Sequence, residues 1–142
     1  MIDAEFVRAY EIVGADFTNA GRASTGIKET LKNMGLPSAL IRRVAIAAYE
    51  AEMNTVMYAR HGTMTLHVTP QDVTIDVRDE GPGIPDIALA MQEGYSTATA
   101  EMREMGFGAG MGLPNIRRNT DDLAITSEVN RGTALVMRVH VG

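Results

Sequence analysis

The sequence predicts an α+β fold, a two-layer α/β sandwich in which a mixed, mostly antiparallel sheet carries helices on one face. Three observations lead there. Strand-like segments come as hairpins, two long helical patterns come early, and no strict β-α-β alternation calls for an all-parallel sheet. A length of 142 residues suits one compact domain spanning 1–142, and 45% apolar with 22% charged residues is the balance of a chain that buries a core.

In chain order, Glu5 to Val13 reads as the first strand. Asp16 to Met34 has helical spacing, with Asp16 or Thr18 as N-cap and Gly35 as the stop, although Gly21 and Gly26 weaken the pattern. A better-marked helix opens at Pro37, carries Ile41, Val44, Ala45 and Ala48 as an apolar stripe, and is closed by Gly62. Met64 to Thr69 and Val73 to Asp79 form a hairpin around Pro70, Gln71 and Asp72. A short helix starts near Asp86, and Gly94 to Gly110 form a connection long enough to suggest function or mobility. Another short helix, Met111 to Asn119, precedes a closing hairpin of Leu123 to Val129 and Thr133 to Val139 across Asn130, Arg131 and Gly132.

Composition excludes several function classes. A net charge of -5 with 13 scattered Lys and Arg repels a phosphate backbone, so nucleic acid is not an expected partner. No stretch approaches the ~20 apolar residues that span a bilayer, and no basic segment leads into an apolar run at the start. The chain has no Cys and only three isolated His, which removes disulfides and thiolate metal sites. A cytoplasmic chain without a membrane partner is the expectation.

Three constellations carry chemistry. Glu50 and Asn54 lie four apart on a helix, so they rise from one face a turn apart, while Glu52 points elsewhere. They read either as a solvated polar stripe or as a working pair. In the second case the Asn54 oxygen is a hard neutral ligand for Mg2+, and the Glu50 carboxylate accepts a proton during phosphoryl transfer. Next, the two-residue period of Val73, Ile75 and Val77 puts Asp79 on the apolar face, where a carboxylate needs a donor such as the exocyclic amine of adenine, a water or a backbone turn. Gly81 and Gly83 suit a backbone passing close to a flat base. Last, the run Gly106-Phe107-Gly108-Ala109-Gly110-Met111-Gly112 leads into a helix, as a phosphate cradle or a flexible connector would. Thr133 shares parity with Leu135, Met137 and Val139, as a second polar contact to the base or as an ordinary strand residue. No Walker pattern and no opening βαβ unit is present.

Taken in order, AAYEAEMNTVMYA, DEGPGIPD and GFGAGMGLPNIRR resemble the N, G1 and G2 boxes of the GHKL ATPases, the superfamily of gyrase, Hsp90, histidine kinase and MutL ATP domains, over about residues 40 to 140. The resemblance implies the Bergerat ATP-binding fold with ATP and Mg2+ as cofactors. It makes Glu50 the general base, Asn54 the metal ligand and Asp79 the adenine contact. Gly81 and Gly83 then turn beneath the base, and Gly108, Gly110 and Gly112 line the phosphates. Ile84, Gly106, Ala109 and Met111 complete the nucleotide contacts, with Thr133 near the adenine. The length and the strings MYA, DEGPGIPDI and GYST look most like the bacterial anti-sigma and stressosome switch kinases of the RsbT type. That resemblance implies phosphorylation of Ser or Thr on a STAS-domain antagonist protein, exchange with a sigma factor or other regulator, and room for a homodimer. Residues 98–105 make a longer lid than the stressosome kinase pattern. Met91, Met102, Met105 and Met111 cluster around it as an adaptable protein-binding surface or as lid packing, and Arg103 reads as a phosphate contact or a solvated cation.

Overall fold

The computed structural model describes residues 6–92 and 112–142. Five strands, β1 (Phe6–Val13), β2 (His61–Val68), β3 (Asp72–Glu80), β4 (Asp122–Glu128) and β5 (Gly132–His140), pair in the order β1-β2-β3-β5-β4. All four pairings are antiparallel, so the parallel component of a mixed sheet does not occur among the described residues.

Period-2 patterning fixes which face is covered. Val73, Ile75 and Val77 of β3, Met64, Leu66 and Val68 of β2, and Leu135, Met137 and Val139 of β5 are buried, whereas their alternating neighbours stand on the helix-free face. Two long helices, α1 (Arg22–Asn33) and α2 (Ser38–Tyr58), pack over the apolar face with Ile27, Leu31, Val44, Ala48, Ala51 and Val56 in one core with the strands. Full burial of each large aliphatic side chain in this layer contributes about 1.5–3 kcal/mol. Among the described residues two shorter helices follow, α3 (Ile87–Ala90) and α4 (Gly112–Arg118). As expected near Asp86, that residue caps α3, its side chain accepting from Leu89 N at 3.0 Å.

Two boundaries differ from expectation. The first helix begins at Arg22 instead of near Asp16, because Asp16 closes a tight turn onto Asn19, accepting from its backbone N at 3.3 Å and its Nδ2 at 2.8 Å. Its N-cap is Gly21, at φ 99°, which has no side chain to cap with. The Glu52 carboxylate takes over: Gly21 N and Ala23 N donate to Oε2 at 2.9 and 3.2 Å, and Ser24 N donates to Oε1 at 2.9 Å. Gly26 is required by packing, since a Cβ there would sit 2.9 Å from the Tyr10 ring of β1. The second difference is Gly62, which lies within β2 instead of stopping α2. The helix ends at Tyr58, and Gly62 lets Thr55 of α2 pack onto the strand, where a Cβ would come within 2.8 Å of Thr55 Cγ2.

Candidate functional site

Asp79 ends the buried parity of β3, and Thr133 begins that of β5, so the two meet where the central strands leave the core. Thr133 N donates to Asp79 Oδ1 at 3.0 Å, which orients the carboxyl without neutralising it. Burial pushes the Asp79 carboxyl above its ordinary value, and this backbone hydrogen bond pulls it back only in part. The hydrogen-bonded oxygen is Oδ1, which leaves Oδ2 for a donor from a ligand.

The loop after β3 is clamped to the β4–β5 hairpin. Gly81 N donates to Arg131 O at 3.0 Å, Asn130 N to Pro82 O at 2.8 Å, and Ile84 N to Ser127 Oγ at 2.6 Å. Ser127 Oγ also lies 2.9 Å from Thr133 Oγ1 and donates to Gly132 O at 3.2 Å. Gly83 adopts φ 76°, and a Cβ there would meet Glu128 O at 2.5 Å, so both its conformation and its contact demand glycine. A Cβ on Gly81 would press on Ala59 Cα at 3.0 Å. The close approach expected at both glycines is thus made first to the protein itself. Gly132 is equally constrained, with Asp79 O where its Cβ would be.

The second half of the site lies between α2 and α4. Glu50 and Asn54, both partly buried, present one turn apart toward Gly112, the first residue of α4. A Cβ on Gly112 would stand 3.3 Å from Glu50 Oε2 and 3.5 Å from Asn54 Oδ1, so this glycine holds open the space in front of the pair. Burial pushes the Glu50 carboxyl above its ordinary value, and a hydrogen bond from the Asn115 side chain lowers it again in part. Leu113 and Ile116, 7% and 0% exposed, anchor α4 in the core.

Of the residues expected from the sequence, Asp79, Gly81, Gly83, Ile84 and Thr133 come together at one end and Glu50, Asn54 and Gly112 at the other. Gly106, Gly108, Ala109, Gly110 and Met111, with the lid 98–105 and Arg103, lie outside the described residues. Two contacts of the candidate site escaped the sequence reading. Ser127 shares parity with the partly buried Leu123 and Ile125, and the strand argument applied to β3 and β5 finds it when applied to β4. Asn115 is one helical turn beyond Gly112. Glu52 points elsewhere as expected, onto the first amides of α1, and at 2% exposed it shares the buried stripe of α2 with Ala48, Thr55 and Val56.

Comparison with known proteins agrees with this geometry. The family model described as histidine kinase-like ATPase domain matches residues 13–139. The chain is 29% identical over 112 residues to the serine/threonine-protein kinase RsbT of Bacillus subtilis (strain 168), covering 76% of this chain and 78% of RsbT. It is 32% identical over 107 residues to an anti-sigma F factor of Caldanaerobacter subterraneus subsp. tengcongensis, covering 72% and 71% of the two chains. Among solved structures, the catalytic domain of the histidine kinase ThkA matches with a TM-score of 0.53 at 14% identity, covering 94% of this chain and 96% of that one, a likeness of fold. Sequence, fold and site together establish that the chain belongs to the histidine kinase-like ATPase domain family.

Proposed function

We propose that the chain is an ATP-dependent serine/threonine protein kinase of the partner-switching type, acting on a STAS-domain antagonist protein. The observation that carries the reading is the pair Glu50 and Asn54 facing bare Gly112, with the Glu50 carboxyl raised by burial. The residues fit Mg-ATP. Asn54 offers a hard amide oxygen for the metal, Gly112 leaves the space, and Asp79 with Thr133 offers a carboxylate and a hydroxyl to the base.

When bound, ATP supplies the γ-phosphoryl and Mg2+ offsets its charge. Glu50 holds the proton of the attacking Ser or Thr hydroxyl, and its elevated proton affinity moves the base toward working pH. Asp79, turned by the Thr133 amide, selects for an amino group on the purine. The clamp of Ile84 on Ser127 keeps the loop after β3 in place while the nucleotide exchanges.

The experiment is transfer from radiolabelled ATP to a STAS-domain protein captured by the chain in the presence of ATP. Glu50→Gln is expected to lower transfer by about a hundredfold or more while ATP affinity stays within about threefold. Unchanged transfer would remove Glu50 from the chemistry. The match to anti-sigma F factors supports a second reading, nucleotide-dependent capture of a sigma factor or other regulator without turnover, in which partner capture survives Glu50→Gln.

A further inference from the structure

The Ser127 hydroxyl stands among three partners beside Asp79, and it has a single hydrogen to give. Ile84 N donates to its oxygen at 2.6 Å. Gly132 O, 3.2 Å away, is a carbonyl and can only accept, whereas Thr133 Oγ1 at 2.9 Å can accept or donate. If Ser127 gave its hydrogen to Thr133, the carbonyl would go without it and the Thr133 hydrogen would be left over. If Ser127 gives it to Gly132 O, Thr133 donates to Ser127 and all three bonds form. Ser127, Gly132 and Thr133 are partly buried, where an unmade bond is costly, so the second arrangement prevails. Ser127 Oγ is then saturated, with donors on both lone pairs and its own hydrogen on Gly132.

The consequence falls on Thr133. Its hydroxyl hydrogen is committed to Ser127, and its backbone N–H to Asp79 Oδ1 at 3.0 Å. Thr133 Oγ1 and, in its charged form, Asp79 Oδ2 are left as acceptors. We propose that Ser127 is a positioning residue for nucleotide choice, holding the Thr133 hydroxyl as an acceptor so that the base end takes a 6-aminopurine and disfavours a 6-oxopurine. The inference rests on the reading of Asp79 and Thr133 as the base end. An exocyclic amine donates to such a pair, whereas a carbonyl oxygen sets its lone pairs against theirs. The sheet makes the arrangement possible: Ser127 and Thr133 are direct partners across β4 and β5, and both share the inward parity of their strands. Ser127 therefore acts through Thr133, on a base it need not touch.

The test is calorimetric titration of the full chain with Mg-ATP and with Mg-inosine triphosphate, whose purine carries a 6-oxo group. The native chain is expected to bind ATP at least about tenfold more tightly. In Ser127→Ala the Thr133 hydroxyl is released to donate, and the ratio of the two affinities is expected to fall about tenfold. Thr133→Val keeps the shape and removes the hydroxyl, so adding Ser127→Ala to it should leave the ratio unchanged. A serine that only anchors the loop after β3 would weaken both nucleotides by the same factor in either background. That result, a ratio change that persists beside Thr133→Val, or equal native affinities would overturn the proposal. A second readout needs no nucleotide. Tied to Ser127, the Thr133 hydroxyl proton should exchange slowly enough to be seen by NMR in the native chain at low temperature and should vanish in Ser127→Ala; its absence from the native chain would overturn the proposal. Should the native chain bind neither nucleotide, the ATP reading fails, while the hydroxyl proton still decides whether Ser127 holds Thr133.

Discussion

Asp79 and Glu50 are carboxyls held where the charged form is disfavoured, and in each the largest cause is burial. A carboxyl whose folded pKa lies above its unfolded value binds its proton more tightly in the folded chain. Its favourable increment is full below the unfolded pKa and is lost as pH rises through the folded pKa. At neutral pH both charges therefore oppose folding, a cost that a ligand-binding role accounts for. Asp79→Asn removes the charge and keeps an oxygen for the Thr133 N–H. Its thermal midpoint at pH 7 is expected to equal or exceed that of the native chain, with the difference vanishing below about pH 4. A midpoint several degrees lower by calorimetry would contradict this account. Asp79 was legible from strand parity because a two-residue period needs no knowledge of neighbours. Ser127, joined to Ile84 across 43 residues of chain, becomes visible as a loop anchor only once β4 lies against the loop.

Helix α1 shows how one element depends on another. Arg22–Asn33 has no acidic residue in its first turn and a glycine at its N-cap, so the amides at its start rely on Glu52 of α2. Glu52→Ala strands those donors in a buried place and is expected to cost about 2–4 kcal/mol of unfolding free energy, read from urea denaturation with an unchanged m-value. Glu52→Gln keeps one acceptor oxygen and should lose less. A cost below about 0.5 kcal/mol for the alanine variant would show that water replaces the cap. This dependence explains the misplaced start of α1 in the sequence reading. Asp16 and Thr18 are locally plausible caps, whereas the true acceptor lies 31 residues from Gly21. The boundaries of β3, α2 and the closing hairpin were legible within a few residues because periodicity and turn residues act locally.

The sheet order β1-β2-β3-β5-β4 joins these local features into one site. It sets β5 beside β3, bringing Thr133 to Asp79, while α2 crosses the sheet and carries Glu50 and Asn54 toward α4. The order of the three motifs made this arrangement legible as a family resemblance. The bonds from Ile84 to Ser127 and from Thr133 to Asp79 were not, because they link residues 43 and 54 positions apart. The proposed function divides the site into a base-recognising end at Asp79 and a transfer end at Glu50, and that division is the central claim. Calorimetric titration of Mg-ATP into Asp79→Asn and Glu50→Gln tests it directly. The account predicts that Asp79→Asn weakens binding by about tenfold to a hundredfold, the loss of a hydrogen bond to a charged group, while Glu50→Gln binds within about threefold of the native chain. Native affinity in Asp79→Asn would contradict it.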